Sequence, residues 1–241
     1  ANDAEAICEA ISRPAMRFGA VKTERQQTLQ AEHRVRARAI KSRTALCNEI
    51  RGFLGEFGVV LPVGISQLRK ALPEILSQQE QWDDRFMRLL CELAEELRML
   101  DDRVAGHDRR LAEAAREDIC IQRLMKIEGI GVITASAMVA LLGDATQFKN
   151  GREMAAYVGL VPRQHSSGGK QQLGHISKRG DSYLRTLVIH GARSVLKTCA
   201  GKEDRRSQWL QSVVERRNRN IATVALANKN VRIAWAVMSR G

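Results

Sequence analysis

Apolar residues recur along this chain in steps of three and four. The longest series is Phe86, Leu90, Leu93, Leu97, Leu100, Val104, His107 and Leu111, which alternates steps of four and three without a slip. That spacing keeps one seam of a helix against a partner and predicts a helix over 74–115. His107 falls on the seam, and a packed histidine suits it better than a metal ligand. A second series, Leu29, Ile40, Cys47, Ile50, Leu54 and Phe57, predicts a helix over 21–57. It is less regular, because His33, Arg36 and Arg43 share its stripe. Gly58 to Pro62 breaks that helix, and Gly64 to Pro73 reads as a link. Two long helices around a short break predict an antiparallel hairpin, with dimerisation through it open. Ahead of them, Ala4, Ile7, Cys8 and Ile11 predict a helix over 1–12, which Pro14 ends.

Beyond 117 the pattern shortens. Leu124 to Ala135 reads as helix, a Gly129-Ile130-Gly131 turn and a new helix. Free amides at that helix start suit a phosphate oxygen, the arrangement of a helix-hairpin-helix that grips a DNA backbone; a plain helix–helix turn is the alternative. It is no nucleotide-binding loop, since no strand precedes it and no GxxxxGK[ST] occurs. A short helix starts at Glu153. Gln164 to Ile176 predicts a small hairpin around Gly168-Gly169, and Asp181 caps a helix over 182–198 with Arg185 and Arg193 flanking its apolar face. A basic helix and a last helix over 221–238, capped by Asn220, complete the chain.

Few aromatics (4%), four prolines and abundant Ala, Leu, Arg and Glu favour helix. No apolar run approaches a membrane span. The opening residues carry no signal-peptide pattern and read as mid-helix, so the chain reads as a piece of a longer one. Five scattered cysteines without a CxxC pair read as buried thiols in a reducing compartment. The net charge of +12 is concentrated. From Lys149 onward there are 18 Lys and Arg against 5 Asp and Glu, and the remainder holds 21 against 22. A basic third of this kind implies a polyanion, nucleic acid first, against a generically basic surface. Arg34, Arg36, Arg38, Lys41 and Arg43 form a separate basic cluster, either a solvated face or a track for phosphates.

Ser166-Ser167-Gly168-Gly169-Lys170 lies in that basic third. Two hydroxyls, glycines that admit close backbone approach, and the cations Lys170, Lys178, Arg179 and Arg185 suit chemistry on a phosphate. A Gly/Ser surface loop is the other reading. His165 and His175 stand near as conceivable proton shuttles.

Five stretches in one order carry a resemblance across about 110 residues. They are Ile127 to Ala135, Phe148 with Tyr157 to Arg163, Ser166 to Lys170, Ile176 to Arg185, and Val224 to Lys229 with Ala234-Trp235. Together they resemble the Piv-like DEDD transposases, insertion-sequence family one-hundred-ten. The resemblance implies a mainly α chain: long antiparallel coiled-coil helices (21–117), then a compact helical transposase domain with the helix-hairpin-helix-like turn (118–241). Residues 1–20 would be a truncated remnant of an RNase H-like (RuvC-like) domain. It implies a serine nucleophile, Ser167 first and Ser166 as alternative, that cuts and rejoins DNA by metal-assisted transesterification. It also implies a guiding non-coding bridge RNA and Mg2+ in the intact protein, with Asp3 the fourth acid of a metal site whose other ligands lie upstream. A cytoplasmic, nucleoid-associated protein, oligomeric through the coiled coil and able to bind but not recombine nucleic acid as it stands, follows from the same reading. A helical nucleic-acid-binding module without chemistry, or a coiled-coil dimerisation protein with a basic tail, are the rivals.

Overall fold

The computed structural model describes residues 2–14, 16, 19–78, 81–165 and 167–240. Among them are ten α-helices and one two-stranded sheet. Helix α1 (Asn2–Ser12) buries none of its residues. Helix α2 (Glu24–Glu56) begins where Thr23 and Gln26 satisfy each other's backbone amides in a capping box. Helix α4 (Asp84–Arg116) begins at Asp83, whose carboxylate accepts from the Arg85 and Phe86 amides. At 33 residues each, both helices extend about 50 Å.

The two helices pack antiparallel. Arg43 pairs with Asp101, Arg36 with Asp108 and Glu32 with Arg110, rising numbers on α2 against falling numbers on α4. The heptad seam is real: Leu90, Leu97, Val104, His107 and Leu111 are all buried. These residues pack within the chain, against α2, α3 and α6.

One expectation fails here. Residues 64–73 are not a link but most of helix α3 (Ile65–Ser77), with Pro73 inside it. An interior proline costs about 3 kcal/mol. Burial of Leu68, Leu72 and Ile75, worth about 1.5–3 kcal/mol each, outweighs it. Consequently α4 starts ten residues later than the pattern suggested. The charged face of α4 holds ion pairs to α2 and α3. Asp101 is shared by Arg43 and Arg69, and Asp108 holds Arg36.

The distal half of the hairpin and α3 close one core around Ile50, Leu54, Leu68 and Leu90. The proximal half joins the second core through Leu29, Leu111 and Ala115. Around that core lie α5 (Ile119–Met125), α6 (Val132–Leu142), α7 (Gly151–Tyr157), α8 (Ser182–Thr198), α9 (Arg205–Arg216) and α10 (Arg219–Ser239). Asp181 caps α8 as expected, accepting from the Leu184 amide at 2.8 Å. Helix α10 starts two residues earlier than expected, because Asn218, not Asn220, supplies the cap oxygen. Cys47 and Cys199 are buried and Cys120 is half-buried, but Cys8 and Cys91 are exposed, contrary to the reading of all five as buried. No described helix is long and apolar enough to cross a membrane.

Candidate nucleic-acid interface and serine hairpin

Strands β1 (Pro162–Gln164) and β2 (Leu173–Ile176) pair antiparallel and form the expected hairpin. Gly168 (φ 56°) and Gly169 (φ 78°) occupy its tip. Two successive left-handed residues make the tight turn whose twist matches paired strands. Ser167 and Lys170 face each other across that turn, and the Lys170 amide donates to the Ser167 carbonyl at 3.1 Å. Both are exposed. Ser166 lies outside the described residues. No hydrogen bond joins the Ser167 hydroxyl to a histidine or carboxylate among the described residues.

The roots of the hairpin are locked. The Ser177 amide donates to the Val161 carbonyl at 2.7 Å, and the Lys178 amide to that of Gly159 at 3.2 Å. A methyl at Gly159 would overlap the Arg179 carbonyl, and one at Gly180 the Tyr157 carbonyl. Lys178 itself sits at φ 55°, a left-handed conformation that costs a non-glycine about 1–2 kcal/mol. Arg185 Nη1 donates to the Val158 carbonyl at 3.2 Å and the Arg179 carbonyl at 3.1 Å. Arg185 therefore ties the incoming chain to the outgoing chain.

This geometry separates cations that the sequence had suggested would gather. Lys170 is at the tip beside Ser167. Lys178 and Arg179 are at the root, roughly 20 Å away along an extended strand. Arg185 spends a donor on backbone carbonyls.

The Gly129–Gly131 turn joins α5 to α6 as expected, but its two glycines do different work. Gly129 (φ 88°) is half-buried, and its carbonyl lies so close to α8 that a methyl on Gly191 would overlap it. Gly129 is therefore a packing residue. Gly131 is exposed and heads α6, with no side chain capping the helix. Its first amides are left for water or an anion. Asn230 of α10 donates to the Glu128 carbonyl at 3.0 Å and braces the turn from below.

The α2 cluster divides similarly. Arg36 and Arg43 pair with Asp108 and Asp101, whereas Arg34, Arg38 and Lys41 are exposed without such a partner among the described residues.

In the last third the charge stays unneutralised. Of its five acids, Asp181 and Asp204 cap helices and Glu153 accepts the Lys149 amide. Among the described residues of that third, the ion pairs are those of Lys202 and Arg206 with Glu128, outside it.

A buried polar node, not foreseen, ties these parts together. His33 of α2, 1% exposed, contacts Tyr183 Oη of α8 at 3.0 Å and Ser136 Oγ of α6 at 3.1 Å. Burial, with Arg36 nearby, lowers its pKa to about 4, so the ring is neutral at pH 7. Its place on the α2 stripe was the only signal in the sequence.

Asp3 is exposed in the first turn of α1. Among the described residues no three His, Cys, Asp or Glu side chains converge as a metal site. One carboxylate does not meet the largely oxygen, six-coordinate shell that Mg2+ takes, so the residues present do not by themselves hold the ion.

Comparison with known proteins places these features. Residues 121–208, from α5 into α9, match the family model described as Transposase IS116/IS110/IS902 family. The chain is 54% identical, over all its length and 72% of the relative's, to a probable family 20 transposase of Pseudomonas aeruginosa. It is 46% identical to the transposase for insertion sequence element IS1111A of Coxiella burnetii, over 99% of this chain and 66% of that one. It is 39% identical to the transposase for insertion sequence element IS1328 of Yersinia enterocolitica, over 99% and 71%. The chain thus spans about two thirds of the length of these relatives.

Proposed function

The chain belongs to the IS116/IS110/IS902 family of insertion-sequence transposases, and on that premise we propose that Ser167 is the nucleophile with which the transposase cuts and rejoins DNA. The observation that carries this reading is the position of Ser167: exposed at the tip of a glycine-turned hairpin with locked roots, in the third of the chain whose described cations, Lys202 and Arg206 apart, form no ion pair with a carboxylate.

The chemistry is transesterification. Ser167 Oγ attacks a DNA phosphorus and forms a serine–phosphate ester as the bond to a sugar oxygen breaks. The hydroxyl proton passes to a base, and the departing oxygen collects one. Attack on that ester by another strand's sugar hydroxyl rejoins DNA and frees the serine, with no net loss of phosphodiester energy. Lys170 stands where it can offset charge building on the phosphate. A serine needs activation to attack, and among the described residues no base is hydrogen-bonded to the Ser167 hydroxyl. The chain by itself accordingly binds nucleic acid without recombining it. A guiding non-coding RNA, Mg2+ at a site to which Asp3 contributes, and oligomerisation belong to the same proposal, and no step above depends on them.

The test uses the full-length transposase with labelled element-end DNA on a denaturing gel. Wild type should give a protein–DNA adduct. Ser167→Ala should abolish it while leaving equilibrium binding close to wild type. An adduct that survives Ser167→Ala and disappears in Ser166→Ala transfers the role to Ser166. One that survives both removes the serine from the mechanism. The absence of a base at Ser167 favours one second reading, a helical nucleic-acid-binding module without chemistry. A full-length protein that binds element-end DNA but forms no adduct and joins no strands would support it.

A further inference from the structure

One groove lies apart from the hairpin tip. It holds about 850 Å³ between α7, α9 and α10. Arg152, Trp209, Lys229 and Arg232 line it, with Trp235 as a wall. Trp235 is structural, since its indole N–H donates to the carbonyls of Ala145 (3.2 Å) and Phe148 (3.1 Å). Trp209 is half-buried, and its N–H has no protein acceptor among the described residues. Lys229 Nζ stands 4.3 Å from the centre of the Trp209 ring. Gly151 lets α7 press onto α10: a methyl there would come within 2.9 Å of the Arg232 Cα and carbonyl oxygen. This backbone contact holds Arg152 and Arg232 on one groove. None of the three cations pairs with a carboxylate among the described residues.

We infer that this groove binds an unpaired nucleic-acid strand, its cations on successive phosphates and a base taking the place of Lys229 on the face of the Trp209 ring as Lys229 turns to a phosphate. The inference rests on the nucleic-acid reading above but not on the serine chemistry. Three cations gathered without counter-charge repel one another, and a polyanion relieves that repulsion. An indole on the groove wall adds a stacking platform, which only a base outside a duplex can use. The groove shares Ala225 and Asn228 with a smaller hollow of about 620 Å³ lined by Gly174, His175 and Lys178 at the foot of the hairpin. A strand held in the groove is thereby led toward the root of the serine hairpin.

The test is fluorescence anisotropy of labelled dT12, rU12 and a twelve-base-pair duplex with the purified chain, from about 50 to 200 mM salt. The combined variant Arg152→Gln, Lys229→Gln, Arg232→Gln should flatten the log–log salt slope for a single strand by about 2, at roughly 0.7 per phosphate contact. Trp209→Leu should weaken single-strand binding about tenfold with the slope unchanged, and duplex binding much less. Trp209→Phe, which keeps an aromatic face, should recover most of that loss and controls for folding. The strand showing the larger loss identifies the nucleic acid. Wild-type slopes for both strands in the triple variant, or equal losses on duplex and single strand in Trp209→Leu, overturn the inference. Ser167→Ala should leave these affinities unchanged, so a failed adduct experiment and a failed groove experiment are distinguishable.

Discussion

Acidification should loosen this fold through one residue. His33 is 1% exposed, and its two ring nitrogens meet Tyr183 and Ser136. Burial, then the Arg36 charge, lower its pKa from 6.5 to about 4, with Glu32 opposing. The folded chain therefore holds the neutral ring, whereas the unfolded chain takes up a proton below pH 6.5. Stability from this site is fully present above pH 6.5 and is lost as pH falls toward 4. Linkage puts the loss at about 0.8 kcal/mol at pH 6, about 2 kcal/mol at pH 5 and about 3 kcal/mol below pH 4. The assay is urea unfolding followed by circular dichroism at pH 7.5, 6 and 5, for wild type and His33→Gln. Glutamine can serve the same two hydroxyls but cannot titrate, so the difference between the two curves isolates the site. Wild type should lose about 2 kcal/mol relative to the variant between pH 7.5 and 5. Parallel curves would refute the argument, because they would mean His33 takes its proton equally in both states.

Three further outcomes follow from one arginine and two glycines. If Arg185 positions the hairpin through the carbonyls of Val158 and Arg179, Arg185→Lys should speed hydrogen exchange at the Ser177 and Lys178 amides nearly as much as Arg185→Ala; restoration of both exchange and DNA binding by lysine would instead make it a simple phosphate cation. Gly191→Ala should cost at least about 1–3 kcal/mol, read by thermal unfolding, because its methyl would overlap the Gly129 carbonyl. Gly52→Ala, exposed in α2 with nothing within 4 Å of the new methyl, should instead stabilise by about 0.5–1 kcal/mol.

What the sequence determined by itself is local or periodic. The seam of α4 was legible because eight positions repeat at one spacing. The cap at Asp181 and the turn at Gly168-Gly169 were legible because each is a contest between neighbouring residues. The basic third was legible because charge is a count. What only the tertiary structure decided depends on partners distant in the chain. Pro73 stays helical because α2 and α4 cover the face carrying Leu68 and Leu72. Arg36 and Arg43 are neutralised by acids some sixty to seventy residues away, which no run of cations reveals. That Gly191 of α8 has Gly129 as its close partner is a matter of how two helices meet. The same holds for the hairpin. The resemblance that points to its serine is carried by five stretches in one order, yet the clamp at its root and the groove near it exist only once α7, α8 and α10 are packed together.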